Sequence, residues 1–218
     1  MTISELQIQL DISSGNELEV LKQHAHKIDN GYLFVDSSDG QCYLFDKYRK
    51  LDDINKVKII KNDAFAGCTS LKNIIIPDSV ESIGDSAFAR CTSLKSIIIS
   101  DSVKTIRYCI FWYCTSLKYI TIPDSVKSIG DHAFTDCTSL ESITIPTSVE
   151  SIGYGAFYGC TSLKSIIIPD SVTYIKNYTF GKCISLNEVI FKGKTIDEVK
   201  AMDYYPWGVE DTSIIKCR

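Results

Sequence analysis

Apolar positions recur every 23 residues through the middle of this chain. Six cysteines, Cys68, Cys91, Cys114, Cys137, Cys160 and Cys183, mark the period. Phe65, Phe88, Phe111, Phe134, Phe157 and Phe180 precede them by three, and Leu71, Leu94, Leu117, Leu140, Leu163 and Leu186 follow by three. A fixed period of this length is the mark of a stacked-repeat protein. Within the unit Ile120–Ser142, Ile120 and Ile122 alternate with Thr121, the period-2 pattern of a short strand. Pro123 lacks an N–H and ends that strand, and Asp124-Ser125 suit a turn. Val126 and Ile129 then point inward on a second extended piece, and Gly130 permits a bend. Residues 131–136 are expected as one helical turn, with Ala133, Phe134 and Cys137 on its inner face. Thr138 and Ser139 cap and turn, and Leu140 leads into the next strand.

One unit cannot bury its own inward face; stacking buries continuous ladders, so stability is a sum of nearest-neighbour interfaces. The expected fold is an α/β repeat solenoid, a right-handed stack of short parallel strands with single-turn helices. Open ends would expose strand edges, so caps are expected at both. The domain reading is residues 1–53 as N-terminal cap, 54–191 as about six coils, and 192–218 as C-terminal cap. In the first, Leu6, Ile8, Leu10 and Ile12 alternate as a strand. The segment from Asn16 to His26 reads as a short helix or another strand. Tyr32–Val35 and Cys42–Phe45 flank Asp36-Ser-Ser-Asp-Gly40, a hairpin signal. The first coil is partial: Val57 and Ile60 fit their ladders, but the proline is absent. In the last segment Thr195-Ile-Asp-Glu198 is a capping box opening a helix to about Met202. Tyr204–Gly208 reads as a turn with an aromatic plug, and Ser213–Cys217 as a final strand.

Asp124-Ser125-Val126, Ile129-Gly130, Ala133-Phe134 and Cys137-Thr-Ser-Leu140 carry a specific pattern. It resembles the BspA-type leucine-rich repeat over about residues 57–191. The resemblance implies a parallel-strand solenoid of a kind common in bacteria, their phages and some protists, whose members are often surface or secreted adhesins. It brings no catalytic motif.

Composition narrows the function. Apolar content of 44% and charge of 23% are ordinary for a folded protein. A net charge of −4 argues against nucleic acid or anionic membrane as partner. Lys72, Lys95, Lys118 and Lys164 form a column, but Glu141 and Asn187 interrupt it, so it reads as a solvated face. No apolar run approaches the roughly 20 residues of a membrane span. The N-terminus lacks a basic and an apolar signal region, so a cytoplasmic location is expected, with secretion or surface display as the alternative. The cysteine column is open to three readings: buried thiols, disulfides between coils, or metal ligation. A repeated inward column favours packing, and the short paired spacings of zinc sites are missing.

Neither enzyme nor cofactor chemistry is expected. The three histidines are His24, His26 and His132. The first two lack a completing ligand set, and His132 reads as a solvated turn residue. Asn177-Tyr-Thr179 is a glycosylation sequon, meaningful only in a eukaryotic secretory setting. Contact residues are sought instead where the repeat is broken by side chains costly to expose. Tyr108 and Trp112, and Tyr154 and Tyr158, are two such pairs on the turn, with Tyr113, Tyr119, Tyr174 and Tyr178 in the same coils. Tyrosine and tryptophan are enriched at interface hot spots; the competing reading is that these rings pack flat over neighbouring coils. Tyr119, Thr121, Ser142 and Thr144 make the sheet face a second candidate surface. The function expected is a protein–protein interaction scaffold, an intracellular inhibitor or adaptor of bacterial or phage origin. The alternative is an adhesin binding host proteins. Self-association through an end cap is a further route to a partner.

Overall fold

Ile120 and Ile122 point inward and Thr121 outward, and this alternation, repeated in each unit, builds the first sheet. The computed structural model describes residues 58–76 and 78–218, together with the backbone of 26–28, 31–35 and 42–45. The first sheet is parallel. Strands β5 (Asn73–Ile75), β7 (Ser96–Ile98) and β9 (Tyr119–Thr121) pair in order. Thr144 then bridges Thr121 to Ile167. The ladder continues through β12 (Ser165–Ile168), β14 (Glu188–Phe191) and β15 (Ile215–Cys217). Each repeat rung pairs with its neighbour at the 23-residue register, as in Ile97 with Ile120 and Ile166 with Val189.

A second column of short strands runs along another side of the stack. It comprises a parallel pair, β4 (Ile59–Ile60) with β6 (Ser82–Ile83), and then a separate four-stranded second sheet of β8 (Thr105–Ile106), β10 (Ser128–Ile129), β11 (Ser151–Ile152) and β13 (Tyr174–Ile175). Between the sheets lie the buried Ile, Val, Leu, Phe and Cys columns. The phenylalanine rings stack face to face from coil to coil, with Phe134 5.4 Å from Phe111 and 5.4 Å from Phe157.

The turn expected to be helical is not a helix. In 131–136, alternate N–H groups bond within the coil, from Ala133 to Gly130 O and from Thr135 to His132 O. The others reach the next coil, from His132 to Tyr154 O, Phe134 to Ala156 O and Asp136 to Tyr158 O. An α-helix would instead use every N–H internally, i to i−4. His132 and Asp136 have φ of 57° and 58°, which no α-helix accommodates. The physical reason is accounting. An isolated helical turn fixes several residues for few bonds, whereas the kinked turn donates half of its N–H groups along the stack as a third hydrogen-bonded ladder.

Repeated polar residues stitch the coils as well. Ser125, Ser148 and Ser171 donate to the carbonyls of Val103, Val126 and Val149 in the preceding coil at 2.6–2.7 Å. The cysteine thiols do the same: Cys91, Cys114, Cys137, Cys160 and Cys183 donate to the carbonyls of Phe65, Phe88, Phe111, Phe134 and Phe157 at 3.0–3.2 Å. The column is therefore one of buried thiols, and the eight described cysteines are all free.

Outside the repeats, β2 (Gly31–Val35) and β3 (Cys42–Phe45) form an antiparallel hairpin around 36–41, as the turn residues predict, with β1 (His26–Ile28) on its other side. The strand expected at Leu6–Ile12 and most of the 16–26 segment lie outside the described residues. At the other end, helix α1 (Ile196–Lys200) has the expected capping box between Thr195 and Glu198. Trp207 is fully buried, against Phe191 at 5.4 Å, and its Nε1 donates to Asp203 O. The final strand, β15, adds one more rung to the first sheet, preceded by a 3-10 turn at Thr212–Ile214.

Candidate functional site: an aromatic zigzag across four coils

The kinked turn presents two adjacent outward columns. One holds Asp85, Tyr108, Asp131, Tyr154 and Asn177; the next holds Ser86, Cys109, His132, Gly155 and Tyr178, all five at positive φ. Rings alternate between the columns: Tyr108 in the first, His132 in the second, Tyr154 in the first, Tyr178 in the second. Beside each ring the other column carries a small or short polar residue. This stagger brings successive rings edge to face. Centroids are 6.1 Å apart for Tyr108–His132, 5.1 Å for His132–Tyr154 and 5.8 Å for Tyr154–Tyr178, with interplanar angles of 87°, 69° and 69°. Such pairing adds about 0.5–1.5 kcal/mol per contact beyond area. The tyrosines nonetheless stay 52%, 40% and 47% exposed in chain order.

Gly155 makes room for the string. Its φ is 57°, and a Cβ there would sit 3.0 Å from His132 Nδ1. His132 is oriented by Thr135, whose Oγ1 lies 3.1 Å from Nδ1 and donates its one proton to Gly155 O at 2.7 Å. The Thr135 oxygen must therefore accept, so Nδ1 carries the proton and Nε2 is the acceptor of the neutral ring. Asp131, between Tyr108 and Tyr154 in the first column, accepts from Lys176 Nζ at 3.1 and 3.2 Å and from the Tyr154 N–H at 2.8 Å. The hydrogen bond with Cys109 raises the Tyr108 pKa.

The other aromatic residues singled out from the sequence take different places. Trp112 and Tyr158 are half-buried and lie against cations from this chain: the Arg90 guanidinium is 4.6 Å from the Trp112 centroid and Lys182 Nζ is 5.3 Å from that of Tyr158. The hydrogen bond with Tyr158 also raises the Lys182 pKa. Tyr113 meets Trp112 edge-on at 6.2 Å. Tyr119 stands on the first sheet and its hydroxyl donates to Glu141 at 3.3 Å. Tyr174 is on the second sheet, against Tyr204 at 6.1 Å, and the hydrogen bond between the two raises its pKa. His132, read from the sequence as solvated, is a member of the string. The signal that could have found it is the spacing of Tyr108 and Tyr154, and of His132 and Tyr178, by two repeats.

The first sheet also presents exposed side chains, with Ile75, Ile98 and Ile167 in one outward row with Thr121 and Thr144. Among the described residues no three His, Cys, Asp or Glu side chains converge as a metal site, and no helix is long and apolar enough to cross a membrane.

Parallel rungs, buried ladders and polar stitching at a 23-residue period define a leucine-rich-repeat solenoid. A model of the BspA type leucine rich repeat region matches residues 41–123 and 104–204 in six copies, and the chain belongs to that family. A leucine-rich repeat protein of T. pallidum is 32% identical over 60% of this chain and 72% of its own, with a TM-score of 0.53. A leucine-rich cell surface protein of Faecalibacterium prausnitzii is 29% identical over 80% of this chain, with a TM-score of 0.49. The pneumococcal vaccine antigen PcpA shares the fold at 24% identity over 81% of this chain, with a TM-score of 0.55. The chain spans 41% and 46% of the length of the last two. No curated protein matches it.

Proposed function

We propose that this chain is a non-enzymatic protein-binding scaffold that holds its partner on the aromatic zigzag. The observation that carries the reading is the string itself: three tyrosines kept about half exposed and linked through His132 into one row of ring contacts, at positions the core leaves free. Tyrosine at the centre of an interface is where truncation typically costs most. In this proposal residues 1–53 and 192–218 close the ends of repeats 54–191, with buried Trp207 supporting the second closure.

The setting we propose is a reducing one, with the scaffold acting in the cytoplasm as an inhibitor or adaptor of bacterial or phage origin. Five ladder thiols donate hydrogen bonds to carbonyls, and a disulfide would remove those donors. Thiol titration separates this from the secreted adhesin. Without reductant, the ladder cysteines are expected to react only after denaturation, while half-exposed Cys217 reacts in the native state. Finding fewer than three thiols after denaturation would overturn the reducing assignment.

The contact surface is tested by photo-crosslinking in producing cells, with a benzophenone amino acid at Tyr154 or at Ile98. Adducts from position 154 and none from 98 are the expected result. The reverse pattern would move the surface to the sheet.

A further inference from the structure

We propose that the C-terminal end of the stack is a self-docking surface, on which two copies of this chain meet about a two-fold axis and each places Ile184 in a cavity of the other. This gives a place and a chemistry to self-association through an end cap, and it is independent of the reading of the zigzag.

The cap covers the last coil unevenly. Trp207 and Val209 are buried, but the corner that ends the cysteine and leucine columns stays open. Leu71, Leu94, Leu117, Leu140 and Leu163 are fully buried, whereas Leu186 is only half-buried. A cavity of about 200 Å³ lies there, with Cys183, Ile184, Leu186, Val209 and Ile214 among its lining residues. A cavity of about 150 Å³ admits benzene, so this one has room for an aliphatic side chain.

Ile184 is itself the second observation. Its place in the five preceding coils is held by threonine, from Thr69 to Thr161. Three of these, Thr115, Thr138 and Thr161, donate to the threonine carbonyl of the coil before at 3.3–3.5 Å. The last coil replaces that stitch with an isoleucine 81% exposed, the most exposed large apolar side chain among the described residues. A projecting aliphatic side chain and an open cavity thus share one face.

Charge names the occupant. Lys182, Glu210 and Asp211 also line the cavity. The Lys182 ammonium lies over the Tyr158 ring and meets no carboxylate among the described residues. Glu210 makes neither a hydrogen bond nor an ion pair there, while Asp211 accepts from the Ser213 N–H at 2.9 Å. The N–H groups of Gly67, Arg90, Tyr113, Asp136 and Gly159 donate to the coil above, and the equivalent N–H of Lys182 has no acceptor. A partner of one charge sign would be matched by a rim of the other, but this rim carries a free cation and a free anion together. Such a surface is complementary to itself. A two-fold axis sets knob into hole and Lys182 against Glu210 twice, which is the isologous contact of a closed dimer.

The experiment is sedimentation equilibrium of the full chain from micromolar to millimolar concentration. A reversible monomer–dimer equilibrium is expected, weakened about tenfold or more by Ile184→Thr. That variant carries the residue of the five other coils, so its fold is secure. Lys182→Glu and Glu210→Lys should each weaken association, and mixing the two variants should restore it, because each then supplies the charge the other needs. A chain that stays monomeric throughout, or a dimer indifferent to Ile184→Thr, overturns the proposal. So does a mixture no stronger than its components, or growth beyond the dimer, which would mean head-to-tail stacking.

Discussion

Phe134→Ala is expected to destabilise the protein by about 3–5 kcal/mol, the range for losing a buried phenylalanine. The ring is fully buried and stacks on Phe111 and Phe157 at interplanar angles of 21° and 3°. The cavity cannot readily collapse, because the surrounding backbone is held by bonds to both neighbouring coils. Phe134 N–H donates to Ala156 O and its carbonyl accepts from the Cys160 thiol in the following coil, while Ala133 O accepts from Phe111 N–H in the preceding one. In a stack of nearest-neighbour interfaces a central defect uncouples two halves, so denaturant unfolding should broaden as well as shift. Equilibrium melts in urea, monitored by circular dichroism, check this. A loss below about 1 kcal/mol, the scale of an exposed site, would mean that the phenylalanine column is not the main axis of cohesion.

Alkali is expected to unfold the protein steeply, through the cysteine column. Burial pushes the thiols of Cys114, Cys137 and Cys160 well above their ordinary value of 9.0, and that of Cys183 to about 12. Below pH 9 these thiols are protonated in both states, and the stability they contribute is fully present. Between pH 9 and the folded value the unfolded chain loses protons that the folded chain keeps. Stability then falls by about 1.4 kcal/mol per pH unit for each such thiol. For Cys183 the fall levels off above pH 12, where the folded thiol ionises too. Cys137→Ala lowers stability at neutral pH but removes one proton from the slope. Melts between pH 8 and 11 test both, and an unaltered slope would exclude Cys137 as a contributor.

The core was legible because its residues repeat. Ile120, Val126, Ile129, Phe134 and Leu140 each recur at one register, and alternation around Thr121 marks the strand and its faces. The capping box at Thr195 was equally plain, since its residue types and spacing are the mechanism. The turn was misread because Ala133, Phe134 and Cys137 fall on one face of a helix and equally on the inner side of a kinked turn. Apolar spacing over six residues does not distinguish the two; the hydrogen bonds to the next coil do, and they connect residues 22 apart. The zigzag was half legible. Its tyrosines stand out as breaks in the repeat, but His132 counts only once two adjacent columns are compared.

The two columns and the core differ in period, and this constrains how such a chain can lengthen. The interior returns to itself after 23 residues, so duplicating one unit leaves every ladder and stitch in register. The ring pattern returns only after 46 residues, from Tyr108 to Tyr154 and from His132 to Tyr178. An odd insertion within the string would set two rings side by side in one column and break the alternation. A pair of units would preserve the stagger. The scaffold can thus grow by single copies, while its decorated surface can be extended intact only by twos.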